Sequence, residues 1–115
     1  MPDHLIEFPY LFSLIVILAG VIMAIFPPKK VNYLYGYWTP RAMKNLYNWR
    51  FAQKYAAKML IIGGVILMLV AVAMEFLFEI EKNLSALMIF LSVILVVAFV
   101  FFTTESAIKK FEKTL

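Results

Sequence analysis

Three apolar blocks, Tyr10–Phe26, Ala57–Phe78 and Leu84–Phe102, limit what this 115-residue chain can fold into. Each approaches the roughly 20 residues with which an α-helix crosses the hydrocarbon core of a bilayer. Inside lipid every backbone N–H and C=O must find a partner within the protein, so such blocks read as helices rather than open strands. Hydrophobic residues make up 64% of the chain, against roughly 45–50% in soluble domains. What lies between the blocks is too short to build a second core. The expectation is an all-α membrane protein with a single domain over residues 1–115. It has three transmembrane helices at about 10–26, 57–78 and 84–102, a motif-bearing loop over 28–56, and a cytoplasmic amphipathic interfacial helix within that loop.

The first block could pass for a secretory signal. Asp3, His4 and Glu7 precede it without a Lys or Arg, however, and no A-x-A pattern follows, so it is expected to stay in the mature protein. The chain has no cysteine. Disulfides, thiolate metal sites, thiol nucleophiles and lipidated cysteines are therefore excluded.

Charge placement predicts orientation, because Lys and Arg in short loops favour the cytoplasmic side. Residues 27–58 carry Lys29, Lys30, Arg41, Lys44, Arg50, Lys54 and Lys58 with no acid. The tail adds Lys109, Lys110 and Lys113, while the turn Glu79–Asn83 has one Lys against two Glu. A three-span chain in the cytoplasmic membrane, with N-terminus outside and C-terminus inside, puts both cationic segments on one side. Two spans would separate them. The basic segments read as attraction to the anionic lipid bilayer, with no direct nucleic-acid partner.

The long loop is aromatic rather than floppy, with Tyr33, Tyr35, Tyr37, Trp38, Tyr47, Trp49, Phe51 and Tyr55. Pro27 and Pro28 end the first span, and Gly36 suits a compact turn. Thr39-Pro40 pairs a good N-cap with a residue suited to the first helical position, which predicts a helix from here toward Lys58. On that helix Ala42, Leu46, Trp49, Gln53 and Ala56 share one side, while Lys44, Lys54 and Lys58 gather near the other. Trp49 reads as an interfacial anchor. Whether this helix bends near Ala56–Lys58 or runs on into the second span is left open.

Within the blocks, Gly20 with Ala24, Gly63 with Gly64, and Ser85, Ala86 and Ser92 offer small residues where helices can approach. Glu75 is the intramembrane candidate. It reads first as an interfacial carboxylate one turn from Glu79 and second as a packing or ligand contact. His4 is alone, so no metal site is expected. No nucleophile–base pair, HExxH, phosphate loop or catalytic carboxylate pair occurs, so the chain reads as a non-enzyme with no catalytic residues and no cofactor.

The run Asn32-Tyr33-Leu34-Tyr35-Gly36-Tyr37-Trp38-Thr39-Pro40-Arg41-Ala42-Met43-Lys44-Asn45, followed by Trp49 and Ala52, resembles the SdpI family of bacterial membrane proteins. The family pattern is similar to N-x3-G-x-R-T-P-x-(S/T)-M-x-(N/S), then Trp and Ala. The resemblance marks Asn32, Gly36, Tyr37, Trp38, Thr39, Pro40, Arg41, Met43, Lys44, Asn45 and Trp49 as motif residues. Trp38 replaces a usual Arg, Ala42 a usual Ser or Thr, and Ala57 a common Gly, and the chain looks like the short form. The resemblance implies immunity to a secreted peptide toxin that collapses the membrane potential, and signalling by holding a transcriptional repressor at the membrane. Three readings follow: an immunity factor that binds a peptide toxin or blocks its action, a scaffold recruiting a cytosolic transcriptional regulator through the basic loop, and a homo-oligomeric transporter or channel subunit. Gly36, Thr39, Pro40 and Trp49 also have sufficient local roles as turn, cap, helix start and anchor.

Overall fold

The computed structural model describes residues 10–32, 34–77 and 82–115, with the backbone alone at 75, 82, 83, 85 and 86. Among these residues the chain forms three α-helices and no strand: α1 (Tyr10–Ile25), α2 (Leu46–Leu77) and α3 (Lys82–Glu112). The expected turn around Glu79, the N-terminal Asp3, His4 and Glu7, Tyr33, and the side chains of Glu75, Ser85 and Ala86 lie outside what is described.

α1 stops where its donors stop. Phe26 N–H still reaches Ile22 O at 2.8 Å, but Pro27 has no N–H to continue the ladder. α2 and α3 contain stretches long and apolar enough to cross a membrane, Leu46–Met74 and Leu87–Glu112, whereas α1 is a shorter apolar helix. At 32 and 31 residues, α2 and α3 are each about 47 Å long, well over the roughly 30 Å of a hydrocarbon core.

The structure departs from the sequence reading at the start of α2. No helix opens at Thr39-Pro40. Residues 39–43 form one isolated turn, closed by Met43 N–H to Thr39 O (2.9 Å) and Ala42 N–H to Thr39 Oγ1 (3.1 Å). The chain then resets, and Asn45 caps the real helix by accepting the Asn48 N–H on Oδ1 at 2.8 Å. Both residues are good caps; the second one starts the long helix. Residues 46–58 are therefore not a separate interfacial element but the first turns of α2, continuous with the apolar stretch.

α2 is the central helix, packed against α1 on one side and α3 on another. The α1 contact depends on missing side chains. A Cβ on Gly20 would lie 2.7 Å from Ile61 Cγ1 and 2.9 Å from the Ala57 carbonyl, and one on Gly64 would lie 2.6 Å from Ile17 Cγ1. Such backbone approach is how apolar helices gain packing when lipid competes for the same surface. Gly63 instead faces Phe99 of α3. Val16 and Met23 meet Ala56, Ala57, Met59, Val96 and Val100 in a shared core. Of the other small residues, Ala24 is exposed, and half-buried Ser92 turns its hydroxyl back to Met88 O of its own helix (2.7 Å). The outward faces stay apolar, with Leu69 64% and Leu95 67% exposed.

Replacing Gly20 or Gly64 by Leu is expected to cost about 1–3 kcal/mol through overpacking. Ala24→Leu on the same helix should be nearly neutral, and thermal unfolding of the purified protein in detergent distinguishes the three.

Candidate functional site

Residues 26–45 have no regular ladder of their own, yet they fold tightly because side chains supply partners for their backbone. Asn32 organises the first turn. Its Oδ1 accepts the N–H groups of Leu34 (2.9 Å) and Tyr35 (2.8 Å), and its Nδ2 donates to Lys30 O (2.9 Å), the local bonding that suits Asn to turns. Tyr35 ties the turn to α1 by donating from its hydroxyl to Phe26 O at 2.7 Å.

One stripe of α2 then clasps the loop. The indole N–H of Trp49 donates to Pro28 O at 2.7 Å. Gln53 accepts the Tyr37 N–H on Oε1 at 2.6 Å and donates from Nε2 to Tyr37 O at 2.9 Å, so its amide reads the Tyr37 backbone in both directions. Asn48 Nδ2 donates to Arg41 O at 3.0 Å. All three side chains are fully buried. Gly36 has φ +122°, and a Cβ there would lie 2.6 Å from Gln53 Oε1 and 2.9 Å from Pro28 Cγ. Both conformation and space therefore require glycine.

The far side of the loop locks onto the end of α3. The Tyr37 hydroxyl donates to Glu105 Oε1 at 2.7 Å. Arg41 places Nε 3.3 Å from Glu105 Oε2 and donates from Nη1 to Glu112 Oε1 at 3.2 Å, while Lys44 Nζ donates to Glu112 Oε2 at 3.3 Å. The Arg41 Nε contact is a charge contact without hydrogen-bond alignment. Beneath these pairs Ala42, Ala52 and Ile108 are fully buried together, flanked by Tyr37 and Phe51. Burial, then the hydrogen bond and charge of Glu105, hold the Tyr37 hydroxyl protonated well above the usual phenol range. At Glu112, ten residues beyond the apolar run that ends at Phe102, desolvation pushes the carboxyl up. Hydrogen bonds from Lys44 and Arg41 and their charges outweigh it, so the pKa lies below the ordinary carboxylate value.

Asn32, Gly36, Tyr37, Thr39, Arg41, Lys44, Asn45 and Trp49 thus come together in one clasp. Trp49 is buried rather than an interfacial anchor, and Pro40 sits exposed in the isolated turn. Met43 is half-buried and donates its N–H to Thr39 O, while Trp38 is 47% exposed. Sequence reasoning missed Asn48, Gln53, Glu105 and Glu112 as members of the site. The signals were there: amide side chains on an otherwise apolar helix stripe, and two acids seven residues apart on one face of a basic tail.

The model of the SdpI/YfhL protein family matches residues 29–104, more than half of the chain and the whole span from the first loop turn through α2 into α3. The chain belongs to this family. It is also 38% identical over 53 residues to the "Uncharacterized protein YfhL" of Bacillus subtilis (strain 168), covering 46% of this chain and 48% of that protein. The match therefore spans about half the length of that relative. No solved structure matches the chain. The family match contains the clasp residues from Lys30 to Asn45 and their α2 partners, while Phe26 and Pro28 lie just before its start and Glu105 and Glu112 just past its end.

Gln53→Leu keeps the bulk but takes the partner from two part-buried backbone groups of Tyr37, and each lost bond is expected to cost about 1 kcal/mol. Hydrogen exchange at the Tyr37 amide should accelerate while amides in the middle of α2 stay protected. Glu112 sets a pH signature. Because its folded pKa is lowered, its contribution is complete above the ordinary carboxylate range and lost as pH falls through the folded value. The stability gap between the parent protein and Glu112→Gln should be widest at neutral pH and close under acid, as thermal unfolding at stepped pH would show.

Proposed function

We propose that this SdpI-family chain is a three-span protein of the bacterial cytoplasmic membrane, N-terminus outside and C-terminus inside, that protects its host from a membrane-active peptide. It does so by binding the peptide in the bilayer or blocking its action there. The observation that carries the reading is the family match across the loop, α2 and α3 together. The clasp adds a constraint on mechanism. The polar side chains of Asn32, Tyr37, Thr39, Arg41, Lys44, Asn45 and Trp49 are engaged by the chain itself, so the motif acts as architecture and leaves the apolar outer faces of the helices as the surface a hydrophobic peptide would meet. Helix length supports this placement. α2 and α3 overhang a hydrocarbon core by about 17 Å each, and the overhanging ends are those that carry the loop, Arg50, Lys54 and the Lys109–Lys110 pair, consistent with the cytoplasmic side.

A second reading, a scaffold for a cytosolic regulator, is supported by the exposure of Arg50, Lys54 and Lys58 on α2. Arg41 and Lys44 are occupied by Glu105 and Glu112 and are poor candidates for recruitment.

Expression in a host sensitive to a depolarising peptide should raise survival and preserve the membrane potential. Unchanged survival with insertion confirmed would sink the immunity reading. Arg50→Glu with Lys54→Glu should leave protection intact; loss of protection together with loss of a captured regulator would favour the scaffold instead. Since the chain has no cysteine, Lys30→Cys and Thr114→Cys can each be probed in intact cells. Both should be shielded from a membrane-impermeant maleimide until the cells are opened.

A further inference from the structure

A groove of about 690 Å³ runs between the first turns of α2 and the last turns of α3, bordered by Phe51 and Tyr55 on one wall and by Phe102, Ser106, Lys110 and Phe111 on the other. By the 3.6-residue period, Lys110 lies toward the side of α3 opposite Glu105 and Glu112, with Phe102 and Ser106 roughly 60–120° from them; the clasp's hydrogen bonds and ion pairs use none of these side chains. The groove has two chemically distinct ends. Phe102, 67% exposed, closes the apolar run of α3 and lies at the membrane end. Ser106 and Lys110, both exposed, follow one and two turns further out. Phe51 and Phe111, stacked with centroids 4.4 Å apart and planes 6° from parallel, form the floor of the outer end. From Phe102 to Phe111 is about 14 Å along the axis.

No lining residue is acidic. Two acids of the α3 end, Glu105 and Glu112, bind Arg41 and Lys44 on the other face, which leaves the field of Lys110 to act on the groove. Lys54 and Lys58 add to it. Both are exposed, Lys54 at the level of the outer end and Lys58 just beyond Tyr55 toward the apolar stretch, and the helical period places them within about 100° of Phe51 and Tyr55 on α2.

We propose that this groove binds one anionic glycerophospholipid of the inner leaflet, its acyl chain along Phe102 and Tyr55 and its phosphate against Lys110 and the Ser106 hydroxyl. Basic pockets between helices at the cytoplasmic surface take anionic headgroups in this way, and the grading from apolar to cationic along the groove matches such a lipid end to end. The bound lipid bridges α2 and α3 on the side where no ion pair joins them among the described residues. The inference rests on the membrane placement proposed above and is independent of the immunity reading.

The test is native mass spectrometry of the full chain released from bilayers containing phosphatidylglycerol and phosphatidylcholine with identical acyl chains. One phosphatidylglycerol should be retained in preference. Lys110→Gln should weaken that retention about fivefold, the weight of one Lys beside anionic headgroups. Lys109→Gln, which removes the same charge outside the groove, should leave it within twofold. Ala107→Trp fills the groove without changing charge and should also displace the lipid; if that variant does not fold, the lysine pair still decides. Equal losses for Lys109→Gln and Lys110→Gln would reduce the effect to diffuse attraction and overturn the site. Equal retention of phosphatidylcholine would overturn it too, as would a peptide or inorganic phosphate held there in place of lipid. A preserved lipid preference with reversed maleimide accessibility would put the groove in the outer leaflet and overturn the inner-leaflet site together with the proposed orientation.

Discussion

A connection of some twenty residues that forms neither helix nor strand must still find partners for its backbone, because buried N–H and C=O groups left alone cost free energy. Here one stripe of α2 supplies them. Trp49 takes the carbonyl of Pro28, Gln53 takes both backbone groups of Tyr37, and Asn48 takes the carbonyl of Arg41. Once these contacts form, little else about the loop is free. Gly36 has to turn with positive φ to pass Gln53. The Tyr37 ring then points at Glu105, and Arg41 arrives between Glu105 and Glu112. The end of α3 is therefore fixed to α2 through the loop as well as through direct helix packing.

The clasp also redistributes charge. Read along the chain, the loop is an uninterrupted cationic segment, and the tail intersperses Lys109, Lys110 and Lys113 with Glu105 and Glu112. In three dimensions Arg41 and Lys44 of the first meet Glu105 and Glu112 of the second. Both acids are largely shielded, with side chains 17% and 23% exposed, against 65% for Lys44. Such partly buried pairs hold geometry more than they add net stability. Their consequence is to leave the lysines on the other faces, among them Lys54, Lys58 and Lys110, as the cations available to lipid or to a partner.

Helix length ties these features to a membrane. α2 and α3 are antiparallel neighbours longer than a hydrocarbon core requires, and the loop wraps them at the end that carries Arg50, Lys54 and Lys110. The glycine contacts of Gly20 and Gly64 hold α1 to α2, while the clasp and the groove make a compact polar end. The family match covers loop, α2 and α3 as one stretch, in keeping with a unit whose parts are joined by mutual hydrogen bonds.

Much of this was legible in the sequence. Apolar blocks give the helices, since hydrophobic length is a local property, and Pro27-Pro28 end α1 because a missing N–H is local too. Asn32 and Thr39 form turns by bonds within three or four residues, Gly36 supplies a positive φ that glycine adopts readily, and the motif that carries the family is contiguous. The start of α2 was a different matter. Thr39 and Asn45 are both competent caps, and local chemistry favoured the first because Pro40 follows it. The contest was settled at a distance: ending the first turn at Met43 lets Ala42 bury against Ala52 and Ile108, lets Asn48 take the Arg41 carbonyl, and brings Arg41 to acids more than sixty residues away. Trp49 and Gln53 likewise reveal their roles only when the loop lies over them. The sequence by itself determined which segments are helical and where the chain turns. Only the tertiary structure decided which cap starts the central helix and which charges meet, because those choices depend on pairs of groups that folding alone brings together.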